Sequence, residues 1–81
     1  MGLTEKQVED LILRADKFKG KVWEIRGKKF IFSKAGAAEV ISAKGDPEEY
    51  KINGILETED GDMLTKPLKK VVMHFEKLEK K

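Results

Sequence analysis

Apolar residues recur at helical spacing from the start of the chain. Val8, Leu11, Ile12, Ala15 and Phe18 make one face of a predicted helix. Thr4 and Gln7 stand at capping-box spacing ahead of it, and Leu3 and Val8 are placed for a hydrophobic staple. Gly20 suits a left-handed residue just past the helix end, with Lys17 and Lys19 in the last turn, where the helix dipole favours cations.

The period then changes to two. Lys21 to Arg26 and Lys29 to Lys34 alternate around Gly27-Lys28, which reads as a type II′ hairpin loop. Pairing Arg26 with Lys29 sets Ile25 opposite Phe30 and Trp23 opposite Phe32, so these four share an apolar face and form core. Val22, Glu24, Arg26, Lys29, Ile31 and Ser33 take the other, mixed polar face, as in a half-buried antiparallel sheet.

Residues 34–44 are alanine-rich, follow a candidate cap at Ser33 and end at Gly45. That favours a short helix with Ala37, Val40 and Ile41 inward, despite Gly36. A strand over Glu39 to Ala43 is the alternative. Gly45-Asp46-Pro47 reads as a turn. Tyr50 to Glu57 reads as one continuous strand with Tyr50, Ile52, Gly54 and Leu56 on one face and Gly54 at a bulge. Asp60-Gly61 is a turn, and Asp62 to Leu64 returns as a short strand. Leu68, Val71, Val72, Phe75 and Leu78 then give a second amphipathic helix. Thr65 is its expected cap, with Pro67 in its first turn.

The order of elements predicts a single α+β domain over residues 1–81, with an antiparallel sheet of three or four strands packed against an N-terminal and a C-terminal helix around one layer of core. A sheet curled into a small barrel under the final helix is the variant. A chain this short buries only roughly 60–65% of its unfolded surface, so that core is thin.

Charge adds what periodicity leaves out. The chain has 17 basic and 15 acidic residues in 81, and their order is uneven. Residues 1–44 balance to +4, residues 45–64 to −6 and residues 65–81 to +4. Lys21, Arg26, Lys28, Lys29 and Lys34 decorate the hairpin, with Lys19 close by. Lys66, Lys69, Lys70 and Lys77 decorate the last helix, followed by Lys80 and Lys81. If those faces adjoin, they make a cationic surface able to neutralise phosphates without reading sequence. Only two arginines occur, and Arg carries most base-specific contacts. If the acidic middle segment folds back on them, the surface is cancelled.

Candidate chemistry is sparse. With no cysteine and one histidine, a structural zinc site lacks its ligands and no disulfide framework exists. His74 is the one side chain whose ordinary acidity suits a general base, and no Ser or Asp stands at motif spacing to use it. Glu57-Thr58-Glu59-Asp60-Gly61-Asp62 is acidic, but Pro67 and Leu68 lie where an EF-hand needs its final Glu. No glycine-rich phosphate loop is present. The expectation is a non-enzymatic module without cofactor or metal. Its partner is a protein or a second copy of itself, with non-specific nucleic acid as the alternative. No apolar run approaches the roughly 20 residues of a membrane span. Met1 to Lys6 resembles no signal peptide, and Lys6 stands where myristoylation wants Ser or Thr, so no membrane partner and a cytoplasmic setting are expected.

Overall fold

The computed structural model describes residues 3–42, 44 and 48–80. Among them lie an N-terminal helix, a four-stranded antiparallel sheet, a separate strand pair and a C-terminal helix, an α+β fold.

Helix α1 (Glu5–Asp16) begins as its capping residues dictate. The Thr4 hydroxyl accepts from the Gln7 N–H at 3.2 Å, and the Thr4 N–H donates to Gln7 Oε1 at 2.9 Å. Val8, Leu11 and Ala15 are buried, but Ile12 is 40% exposed at the margin of the stripe. The helix ends earlier than Gly20 implied. Lys17 to Gly20 form a turn, in which Gly20 has φ +87° and its N–H donates to the Phe32 carbonyl.

Strands β1 (Val22–Ile25) and β2 (Lys28–Ala35) form the expected hairpin in a different register. Trp23 pairs with Phe30 and Ile25 with Lys28, so the loop is Arg26-Gly27. Both loop residues lie in the left-handed region, Arg26 at φ +50° and Gly27 at φ +80°, as a type I′ turn requires. Its twist matches the flanking strands, which offsets the cost of a non-glycine residue there. Moving the loop by one residue moves the register by two, so every side chain keeps its predicted face.

The segment after β2 overturns the helix expected over residues 34–44. β2 continues through Ala35, and β3 (Glu39–Ile41) pairs antiparallel with β4 (Glu49–Lys51), close to the strand alternative. Ser33 is not a cap. It is the extra residue of a bulge between Phe32 and Lys34, and its hydroxyl donates to the Ile55 carbonyl at 3.0 Å. Backbone pairing outweighs the modest helix preference of the alanines, and Val40 and Ile41 suit a strand. The predicted turn at residues 45–47 lies outside the described residues, as do Met1, Gly2, Ala43 and Lys81.

The expected continuous strand is broken at Ile52 into β4 and β5 (Asn53–Glu57). The shared face survives: Ile52, Gly54 and Leu56 are buried and Tyr50 is half-buried. The bulge sits not at Gly54 but in the facing strand, at Ser33. Gly54 is instead a point of close approach, where an added Cβ would stand 2.9 Å from Val71 Cγ2 and 3.3 Å from Leu68 Cδ1. After the turn at Gly61 (φ +93°), β6 (Met63–Pro67) is longer than predicted. Thr65 therefore pairs with Ile55 rather than capping a helix. The residue before a proline is kept out of the α region, so Lys66 stays extended and α2 (Leu68–Glu79) starts only after Pro67.

The sheet order is β1-β2-β5-β6, and both helices lie on one side of it. Leu68, Val71, Val72 and Phe75 of α2 meet Phe30, Phe32 and Leu56 of the sheet, with Val8, Leu11, Ala15 and Phe18 closing the core. Phe75 stacks on Phe18 at 5.5 Å and on Phe32 at 6.3 Å between centroids. Trp23 is not locked inside but half-buried at the rim of this cluster. The helices are also tied by Arg14, whose Nε donates to Glu76 at 3.1 Å and whose second nitrogen completes a bidentate pair.

Candidate functional site on the open face of the sheet

Antiparallel order places the β1–β2 loop and the β5–β6 loop at the same end of the sheet. The acidic turn thus returns onto the basic hairpin tip. Thr58 and Asp62 close the turn, with Thr58 N–H donating to the Asp62 carbonyl and Asp62 N–H donating to Thr58 Oγ1 at 3.0 Å. Lys28 Nζ lies 3.3 Å from Asp62 Oδ2. Val22, Lys28, Lys29, Ile31, Asp60 and Asp62 line a shallow cleft of about 480 Å³ between the two loops. The hairpin tip is therefore a mixed-charge rim, and its cationic character is offset by its neighbour.

The nine basic residues singled out above do not share one face. Arg26, Lys28 and Lys29 are at the tip, and Lys34 is on the uncovered side of β2, opposite Ile55. Lys21 lies beside Phe18, Val22, Leu78 and Glu79 at the far end. Lys66, Lys69, Lys70 and Lys77 belong to β6 and α2, on or beside the helical layer. Among the described residues, none of these four is in an ion pair. Lys66 is half-buried, with its ammonium 5.2 Å from the centroid of the Trp23 ring. Trp23 and Lys66 come from opposite edge strands, β1 and β6.

His74 lies flat on Trp23, with centroids 3.9 Å apart and planes inclined by 10°. Burial first, and then the charge of Lys77, push its imidazole below the ordinary histidine value. Glu76 is held below the usual carboxylate value by its hydrogen bond from Arg14. Among the described residues no group of three His, Asp or Glu side chains is placed to hold a metal ion. No described helix is long and apolar enough to cross a membrane.

Exposed apolar residues also occur on α1, α2 and β3, Leu13 and Met73 among them, and a further group lies on the side of the sheet away from the helices. Cross-strand registers align Val22, Ile31, Glu57 and Met63 in one row across all four strands. Lys34, Ile55 and Thr65 align in the next. Among the described residues no helix packs on this side: Val22 is 48%, Ile31 37% and Met63 65% exposed, and Ile55 is half-buried. Alternation alone had assigned Val22 and Ile31 to a polar face, where two β-branched apolar residues were the available hint. Their meeting with Ile55 and Met63 depends on strand order, which no local pattern reveals. Comparison with protein-family models, curated proteins and solved structures finds no match.

Proposed function

We propose that this domain is a small protein-binding module that docks through the open face of its sheet. The observation that carries this is the exposed row Val22, Ile31, Glu57 and Met63, apolar but for Glu57, with Ile55 beside it and Glu24, Lys29 and Lys34 around it. Exposed apolar side chains interspersed with a few charges suit a docking surface, since the apolar area drives association and the charges orient it. Size-exclusion chromatography and pull-down from source lysate test the proposal on wild type and Ile31→Asp. Self-association or specific capture that disappears in Ile31→Asp is expected. A strict monomer that captures no protein, or capture indifferent to Ile31→Asp, would overturn it.

Sequence-independent nucleic-acid binding is the second reading. Exposed, unpaired Lys69, Lys70 and Lys77 on α2 favour it. It draws less from the hairpin, where Asp62 answers Lys28, and less from Trp23, whose ring is covered by His74 and Lys66 rather than open to a base. A gel shift across a salt series discriminates. Binding that falls with salt and is lost in Lys70→Glu/Lys77→Glu would favour this second reading, and no shift at low salt would remove it.

A further inference from the structure

Resting on the open face as the docking surface, we infer that its occupant is a second copy of this chain, stacked sheet to sheet about a twofold axis that runs parallel to the strands between β2 and β5. The charge order on the face carries the inference. Outward-facing β2 presents Lys29, Ile31 and Lys34, a hydrophobe between two cations. Outward-facing β5 presents Ile55 and Glu57. The strand pair is thus electrically lopsided, positive on β2 and negative on β5.

Two in-plane twofold axes would bring two such faces together, and they differ in outcome. An axis across the strands sets β2 on β2 and β5 on β5, so like charges meet and repel. An axis along the strands sets β2 of one copy over β5 of the other. Each Glu57 carboxylate then lies between Lys29 and Lys34 of the opposing copy, and the contact occurs twice by symmetry. The same operation places β1 over β6, so Val22 faces Met63 of the second copy. Both apolar outliers of the row are covered by each other. Glu24 is the one charge the operation leaves without an opposite partner.

Sheets stacked this way keep their strands within about 30° of each other at roughly 10 Å separation, the geometry of a sandwich. Four strands at about 4.8 Å spacing and five residues at about 3.3 Å rise give a footprint of roughly 300 Å² in projection. Counted over both copies that is about 600 Å², below the roughly 1,200 Å² of stable interfaces, so only a weak, reversible dimer with a Kd of roughly 10–500 µM is expected.

Sedimentation equilibrium of the full chain from about 10 µM to about 1 mM, a span chosen to bracket that affinity, is the test. Lys29→Glu/Lys34→Glu and, separately, Glu57→Lys are each expected to weaken dimerisation about tenfold, and the full exchange Lys29→Glu/Lys34→Glu/Glu57→Lys to restore it to within about threefold. All these positions are exposed, and circular dichroism checks that each variant is folded. A full exchange no tighter than the two partial ones would overturn the axis. A monomer at the highest concentration would overturn the second copy as occupant while leaving the open face available to a different protein. A dimer untouched by Ile31→Asp would place self-association elsewhere and overturn the second copy as occupant of this face, leaving the open-face proposal to the capture experiment.

Discussion

The two faces of the four-stranded sheet are built from similar residues and meet opposite fates. Phe32 and Leu56, on the helical side, are fully buried. Ile31, next to Phe32, is 37% exposed on the other side. Among the described residues there are two helices, and both lie on the same face. One helical layer consumes the covering material of a chain this short. The apolar residues of the far face are then left over from folding and free for association. Core and proposed docking surface are separated by the thickness of a single strand, and adjacent residues report on different properties.

The largest expected effect breaks the inner face. Phe32→Ala leaves a cavity among Phe75, Leu56 and their neighbours and is expected to cost about 3–5 kcal/mol. A marginally stable domain is then largely unfolded, as urea titration followed by far-ultraviolet dichroism would show. Ile31→Ala, one residue away, should change stability by no more than about 0.5 kcal/mol in the monomer. Equal losses at the two positions would erase the distinction between the faces.

The next effect sharpens the contrast by overfilling instead of emptying. Gly54→Val pushes methyl groups into Val71 and Leu68 and is expected to destabilise by roughly 1–3 kcal/mol in the same titration. Ile55→Val, on the open side, should be close to neutral.

Smaller effects come from the groups that fasten the helices to the inner face. Arg14 and Glu76 are partly exposed, so their bidentate link contributes only about 1 kcal/mol after screening. The Glu76 carboxylate is lowered by that link, so its stabilisation is present above the ordinary carboxylate value and fades as pH falls through the lowered one. Glu76→Gln should flatten the acid limb of a thermal-denaturation series.

His74 gives the smallest effect, and its sign is also loss on acidification. A lowered histidine pKa means that the unfolded chain binds the proton more tightly. Stability is therefore full above the ordinary histidine value and declines as pH falls through the native one. Lys77 on the same helix faces the added charge. Melting between about pH 7.5 and about pH 5.5, a span that brackets the ordinary imidazole titration, should fall less in His74→Phe than in wild type.

What the sequence discloses follows the range of the interactions involved. The start of α1 is legible because Thr4 and Gln7 decide it within one turn. The faces of the hairpin are legible although its register is not, since period two survives a shift of two residues. Local propensity misleads where a distant strand supplies the pairing. Ser33 and its alanine neighbours resemble a capped helix, yet β5 draws Ser33 into a bulge and β4 pairs with β3. Thr65 resembles a cap until Ile55 pairs with it. The candidate site is the least legible part, because the nearness of Lys28 to Asp62 and the row from Val22 to Met63 exist only once the strand order is known.

The detour through β3 and β4 leaves the sheet at Gly36 and re-enters at Asn53, and the Gly36 N–H donates to the Asn53 carbonyl. Departure and return are thus fastened at one point, like the neck of a pouch. Extra length added inside the pouch costs only the slow logarithmic entropy of a larger loop and does not disturb the order of strands outside it. Divergent relatives of this chain should accordingly vary most in size between those two residues, and a tag or guest peptide inserted there should be carried without loss of the sheet.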